Sequence, residues 1–364
     1  MAPDFIIATR LMWPGGVFRT ALEEARYTGS KLYVLRKAHH PTPFSTEGVN
    51  FEILRNSNSN GNILTNVFSL LTLFYDKERG TDATIDLDLI FKLSKMGDIK
   101  DHNILYFDQF IALSGYINYV KYGKSYNIFL HETVLGRKHD LKTVPLAMYD
   151  KLILRHAKNV ITNSLWNQKV LANFGIKSQV VYLGCDPVDK LNFKRKPIVI
   201  AVSMWDRFRK PELYVDLAKE VNAEVWICGS WTRDDYKMEF IEKYGDAVHV
   251  TGPITDDFLN DLYNEASFYI RFGFEERGPG LGGIEALGHG LPVIANQGLG
   301  ISEVIDDSVN GFIVSDMHEA AEKINHVLSN NEKHLVMIKN AWLKGRELSW
   351  ANHAKRVTEI LRGE

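Results

Sequence analysis

The chain has 364 residues, more than one hydrophobic core usually accommodates, so two domains are expected. Hydrophobic residues make up 45% and charged residues 24%, with a formal charge of −2, which excludes an intrinsically disordered chain and argues against a general nucleic-acid binder. The charge is uneven: residues 1–183 carry 22 Lys and Arg against 16 Asp and Glu, and the remainder 21 against 29.

The basic first half suits an anionic membrane or a lipid phosphate, and a merely solvated surface equally well. Cys185 and Cys228 are the only cysteines. Without paired spacing they imply neither disulfide nor zinc framework, and a cytoplasmic setting is expected. The opening MAPDFIIATRLMWPGG lacks the charged-then-apolar pattern of a signal peptide. No apolar run reaches the roughly 18 residues that span a membrane.

In chain order, FIIAT (5–9) reads as a strand, RTALEEARYTG (19–29) as a helix closed by Gly29, and KLYVLR (31–36) as a second strand. NSNSNGN (56–62) is a loop by composition. ILTNVFSLLTLFY (63–75) has the spacing of a core helix, with an interfacial helix as the other reading. DLD (86–88) has the form of a metal-binding Asp-x-Asp, but LIFKL follows at once, so an aspartate-rich helix start is expected and no metal is assigned. Strands NILYF (103–107) and NIFLHE (127–132), a helix over about 144–158, then NVIT (159–162) and SQVVYLG (178–184) complete one alternating β-α series. GCDPVDKLNFKRKP (184–197) breaks the pattern and reads as a linker. The alternation restarts with PIVIAVS, EVWICGS, AVHVTG, SFYIRFG, LPVIAN and GFIVS. Two α/β, doubly wound parallel sheets follow, whose ligands belong at the carboxyl ends of the strands.

Four places there could carry chemistry. Gly15 and Gly16 sit at a strand-to-helix turn, where backbone amides can approach an anion, without the full G-x-G-x-x-G spacing. His131 ends a strand, where an imidazole can bond a hydroxyl or move a proton near neutral pH. Arg207, Arg209 and Lys210 precede a helix opened by Pro211; cations there oppose the helix dipole, a cost that an anionic ligand would offset. In EERGPGLGGIEALGHG (275–290) a helix begins near Gly280 and Leu281 with its amides open to a diphosphate. Glu285 lies one turn in, beside Ile284 and Leu287 as core residues; its carboxylate needs partners, which ribose hydroxyls could be.

The block GLGGIEALGHGLPVIANQGLGISEVIDDSVNGFIV (280–314) resembles the signature of GT-B glycosyltransferases, family 4, the retaining nucleotide-sugar enzymes. PGG near the start, HE after a strand, NSLWNQKVLANFGI before VVYLGCDP, and VSMWDRFRKPEL extend the resemblance over nearly the whole chain. It implies two Rossmann-like domains facing across a cleft: an acceptor-binding domain over 1–186, a donor-binding domain over 187–348, and a helix over 349–364 crossing back. It implies a nucleotide-sugar donor, an acceptor hydroxyl that is lipid-linked or belongs to another glycan, and neither cofactor nor metal. By position it assigns Gly15 and Gly16 to the phosphate side, His131 to the donor sugar, Arg209 and Lys210 to the phosphate clamp, Gly280 and Leu281 to the diphosphate, and Glu285 to the ribose. Two positions depart from the pattern. Arg277 stands where the family has the first glutamate of E-x7-E, so Glu276 is expected to take its place. Met204 stands where an arginine is usual, and Arg207 is the substitute. A sugar-nucleotide epimerase or phosphorylase, or a non-catalytic sugar-nucleotide sensor, is the alternative on the same plan.

Overall fold

Runs of aliphatic residues too short for helices and punctuated by glycine form strands buried on both faces, as parallel sheets require. The structure, a computed structural model, describes residues 5–12, 15–37, 44–55, 87–136, 144–273 and 276–364. The loop over 56–62, the helix over 63–75, Trp13, Pro14, Asp86 and Glu275 lie outside the described residues. The chain divides into two compact units, Met1–Tyr182 with His353–Glu364, and Leu183–Asn352.

In the first unit β1 (Phe5–Met12), β2 (Leu32–Lys37), β3 (Phe51–Arg55), β4 (Asn103–Tyr106), β5 (Asn127–Leu130), β6 (Asn159–Thr162) and β7 (Gln179–Val180) form a seven-stranded sheet in the order β3-β2-β1-β4-β5-β6-β7. Every pairing is parallel, with Ile7 opposite Leu32 on one side of β1 and Leu105 on the other. The helix Gly16–Thr28 follows β1 and ends at Gly29, whose φ of 69° is the left-handed cap that its sequence position suggests.

In the second unit β8 (Ile198–Val202), β9 (Glu224–Cys228), β10 (His249–Gly252), β11 (Phe268–Arg271), β12 (Val293–Asn296) and β13 (Gly311–Val314) form a parallel sheet in the order β10-β9-β8-β11-β12-β13. Both sheets therefore reverse direction of growth beside their first strand, between β1 and β4 and between β8 and β11. At such a reversal the loops leaving two neighbouring strands diverge to opposite faces and leave a crevice at their carboxyl ends. The loops after β8 and β11 are the two that hold the cationic and the glycine-rich stretches.

The segment over 184–197 is built into the second unit. Cys185 is buried and its N–H donates to the Leu348 carbonyl at 2.9 Å. Arg195 donates to the carbonyls of Asn192 (2.8 Å), Tyr263, Ala266 (3.3 Å) and His289 (2.6 Å). Three of those acceptors lie at the ends of the helices Asp256–Glu265 and Leu281–Gly288, whose last carbonyls have no partner within their own helices. Burial lowers the Arg195 pKa only to about 10, so it remains a cation there.

The helix Leu281–Gly288 is positioned by backbone contact as well. A Cβ on Gly345, within the helix Asn331–Glu347, would stand 2.5 Å from the Gly288 Cα and N. Gly345→Ala should therefore destabilise the chain by about 1–3 kcal/mol through overpacking. Urea unfolding measures it, and an unchanged midpoint would mean that these helices do not meet at Gly288.

Candidate functional site

The loop after β8 is pinned by aromatic packing before it reaches its cations. The Trp205 indole is fully buried and donates to the Cys228 carbonyl at 2.8 Å. Asp206 caps the short 3-10 turn Arg207–Arg209, accepting the Arg209 N–H at 2.9 Å, and also pairs with the Arg209 guanidinium. Arg207 turns to Glu239, 2.9 Å away, and covers the Tyr236 ring at 4.4 Å. Both members of that pair are more than 60% exposed, so it adds little to stability. Lys210 differs from both. Its backbone is left-handed at φ 47° and ψ 60°, a conformation costing a non-glycine residue about 1–2 kcal/mol. Its side chain is exposed, and its ammonium has no hydrogen-bond or ion-pair partner among the described residues. Of three adjacent cations, the structure thus gives two an acid and leaves the strained one available.

The loop after β11 starts from a buried charge. Arg271 is 5% exposed and its Nε donates to Glu276 Oε2 at 2.8 Å. Burial opposes its charge most strongly, but attraction to Glu276, Tyr214 and Tyr269 together outweighs this and raises the pKa above the usual arginine value. The Glu276 carbonyl accepts the Gly300 N–H at 2.7 Å. A Cβ on Gly300 would stand 2.3 Å from Gly278 C and O, so only glycine lets the two segments approach this closely. The loop then turns at Gly280 (φ 67°), the N-cap of the helix Leu281–Gly288. Gly280 provides no side-chain cap and the first turn holds no acid, so among the described residues no side chain caps the first amides of this helix. The Glu276 carboxylate lies at the same mouth, 3.1 Å from where a Gly280 Cβ would be. The Glu276 carboxylate is brought there, and the Arg277 backbone packs beside Gly300.

Two contacts connect these parts. A Cβ on Gly273 (φ 85°) would lie 3.7 Å from the Lys210 Cβ, so the two loops touch at the crevice. One turn into the helix, Glu285 Oε2 lies 3.4 Å from the buried Tyr263 hydroxyl, which also donates to the Gly282 carbonyl at 3.1 Å. Ile284 and Leu287 are fully buried, as their spacing suggests.

The first unit holds its own polar cluster. Gly15 caps the helix Gly16–Thr28 without a side-chain bond, and the Thr20 hydroxyl donates to the Gly16 carbonyl at 2.7 Å. His131 Nε2 lies 3.3 Å from Thr20 Oγ1, with the ring packed beside the stacked pair Phe107 and Phe129. Burial, and then the neighbouring His353, depress the His131 pKa to about 3. A histidine so depressed is neutral near pH 7 and offers hydrogen bonds rather than charge. Behind it, His353 Nδ1 bonds the Tyr182 carbonyl at 2.7 Å and its Nε2 stands 3.3 Å from the fully buried Glu24 carboxyl. Desolvation raises Glu24 to about 8 and depresses His353 to about 4, so the pair is neutral.

Sequence reasoning did not single out Arg271, Tyr263, Thr20, Glu24 or His353. An arginine closing the apolar strand FYIR was a readable signal, since a charge there must be paired. Glu24 and His353 come from opposite ends of the chain and gave none. Among the described residues no group of three or more His, Cys, Asp or Glu is arranged to hold a metal ion, and no helix is long and apolar enough to cross a membrane.

Comparison with known proteins bears on the second unit first. Residues 196–330 match the family described as "Glycosyl transferases group 1". These residues form a group 1 glycosyltransferase domain. The span contains both crevice loops of the second unit, from β8 through the Gly280 helix. A Dictyostelium discoideum GDP-Man:Man(3)GlcNAc(2)-PP-Dol alpha-1,2-mannosyltransferase is 35% identical over 89 residues, 24% of this chain and 17% of that protein. The chain thus covers less than a fifth of that relative's length. Among solved structures, Anabaena HepE in complex with UDP and glucose superposes with a TM-score of 0.76 at 17% identity, covering 99% of this chain and 100% of the other. Sucrose-phosphate synthase from Thermosynechococcus elongatus gives 0.74 at 17% identity, covering 98% of each. The fold is GT-B.

The Glu24 and His353 shifts set opposite pH dependences. Glu24 is raised above its ordinary 4.5, so its contribution to stability is complete below 4.5 and lost as pH rises to about 8. His353 is depressed, so its contribution is present above 6.5 and lost as pH falls to about 4. Glu24→Gln, neutral throughout, should gain stability relative to the parent between pH 5 and 8, by up to about 1.4 kcal/mol per pH unit. Urea melts across that range read the difference; a constant offset would mean that Glu24 is ionised in the folded chain.

Proposed function

We propose that the chain is a retaining glycosyltransferase that moves a sugar from a nucleoside-diphosphate sugar to an acceptor hydroxyl. The observation that carries this reading is Lys210, a strained residue whose ammonium has no partner among the described residues, beside the loop that leads to the uncapped Gly280 helix. A left-handed lysine is retained at a cost when something outside the fold compensates it. A diphosphate has the charge to do so, since both an ammonium and helix N-terminal amides favour it.

During transfer the bond from the anomeric carbon to the β-phosphate oxygen breaks, a bond to the acceptor oxygen forms, and charge grows on the departing phosphate. Lys210 and the amides from Leu281 onward meet that charge more strongly in the transition state than in the ground state. Arg209 is held by Asp206 and shapes the turn that presents Lys210. Glu276, already oriented by Arg271, accepts from sugar hydroxyls at the helix mouth, and Glu285 takes the ribose hydroxyls. His131, neutral, bonds a sugar hydroxyl, and the acceptor proton passes to the departing phosphate. The scheme invokes no metal.

Two relatives support narrower expectations. HepE was crystallised with UDP-glucose, which favours a UDP-sugar donor here. The Dictyostelium mannosyltransferase is named for a lipid-linked substrate, and with the basic residues 1–183 this favours a lipid-linked acceptor and peripheral contact with an anionic membrane.

Thermal-shift measurements with UDP-, GDP- and ADP-sugars identify the donor: at 100 times its dissociation constant it adds about 2.7 kcal/mol to stability. Failure of every nucleotide sugar would refute the proposal. Lys210→Gly separates strain from function. It should hold or raise the melting temperature while lowering transfer about 100-fold or more. Unchanged transfer would remove Lys210 from the clamp.

A further inference from the structure

We propose that Thr20 is a positioning residue that fixes the tautomer of His131, so that His131 offers Nδ1 as an acceptor to a hydroxyl of the bound sugar. The inference rests on the glycosyltransferase reading for its ligand, but its geometry stands alone. The Thr20 hydroxyl has one proton, and the Gly16 carbonyl 2.7 Å away can only accept it. Toward His131 Nε2, at 3.3 Å, Thr20 therefore presents a lone pair, and Nε2 must carry a proton to donate to it. A neutral imidazole has one N–H, which leaves Nδ1 bare. Nδ1 is buried and has no hydrogen-bond partner among the described residues. A buried acceptor without a donor costs about 1–3 kcal/mol, which a ligand O–H would recover.

The rest of the cluster keeps this arrangement rigid. The His131 carbonyl accepts from Asn167 Nδ2 at 3.0 Å, and Asn167 also bonds Asn163. Phe107 and Phe129, stacked on each other at 5.1 Å, pack together against the ring and limit its rotation. Burial keeps the ring neutral, so the choice of tautomer alone decides what Nδ1 can do. The same hydroxyl ties His131 to Gly16 at the start of the helix Gly16–Thr28, so the glycine turn and the histidine are set together. A Nδ1 acceptor selects ligands that donate an O–H there and rejects deoxy or O-methyl analogues at that position.

The test uses the full chain labelled with 15N-histidine, the His131 signals being assigned by their loss in His131→Asn. Long-range 1H–15N spectra of the parent should show the proton on Nε2. Thr20→Ser should keep that tautomer and keep kcat/KM within about twofold. Thr20→Val should move the proton partly or wholly to Nδ1 and lower kcat/KM about tenfold or more. A parent with its proton on Nδ1 would overturn the proposal, and so would a Thr20→Val protein that keeps the Nε2 tautomer. Should Thr20→Val not fold, the parent and Thr20→Ser spectra still decide the tautomer. The spectra need no substrate: an Nε2–H tautomer in a chain that binds no nucleotide sugar would refute only the glycosyltransferase reading.

Discussion

A buried guanidinium organises the second unit's crevice. Arg271 ends the strand that borders the sheet reversal, and no charge remains in such a place without a partner. Glu276 supplies the partner, and its carbonyl in turn receives the Gly300 N–H. With both ends of Glu276 held, Gly278 passes against Gly300, and the chain enters the helix Leu281–Gly288 at Gly280 with a positive φ and no side-chain cap. The far end of that helix is held by Arg195 and by the backbone contact with Gly345. The helix is fixed at both ends, so its amides are set before any anion arrives, the preorganisation that electrostatic catalysis requires.

The first unit uses the same device with different chemistry. There the fixed element is a neutral imidazole in place of a row of amides, and among the described residues the strained backbone of Lys210 has no counterpart. Thr20, His131, His353 and Glu24 form a line of polar groups beside Phe107 and Phe129, the two imidazoles and the carboxyl neutral because burial makes their charged forms costly. Such a line holds direction rather than charge, which suits the recognition of uncharged sugar hydroxyls. The second unit presents cations and helix amides instead, which suit an anion.

Much of this was legible in the sequence. The parallel sheets followed from short aliphatic runs, such as FIIAT and PIVIAVS, alternating with amphipathic segments. Gly29 and Gly280 marked a helix end and a helix start because both need a positive φ. The glycine-rich block carried the family resemblance. Less legible was whatever depends on distant partners. β3 is an edge strand whose half-exposed residues show no apolar run, and β7 is only two residues long. Arg207, Arg209 and Lys210 look alike in the sequence; they differ because Asp206 is adjacent, Glu239 comes from another helix, and nothing described reaches Lys210. The stretch over 184–197 reads as a linker because its bonds run to backbone carbonyls about 70 to 95 residues further along, which composition cannot reveal.

The central claim is that Lys210 and the Gly280 helix form a site for a diphosphate. Calorimetric titration of a nucleoside diphosphate and its parent nucleoside, in the uridine, guanosine and adenosine series, into the parent chain and Lys210→Gly tests it most directly. The account predicts that one diphosphate binds the parent chain at least about tenfold more tightly than its nucleoside, and that the gap narrows in Lys210→Gly while nucleoside affinity holds. Equal affinities for diphosphate and nucleoside, or a gap that survives the loss of Lys210, would contradict it.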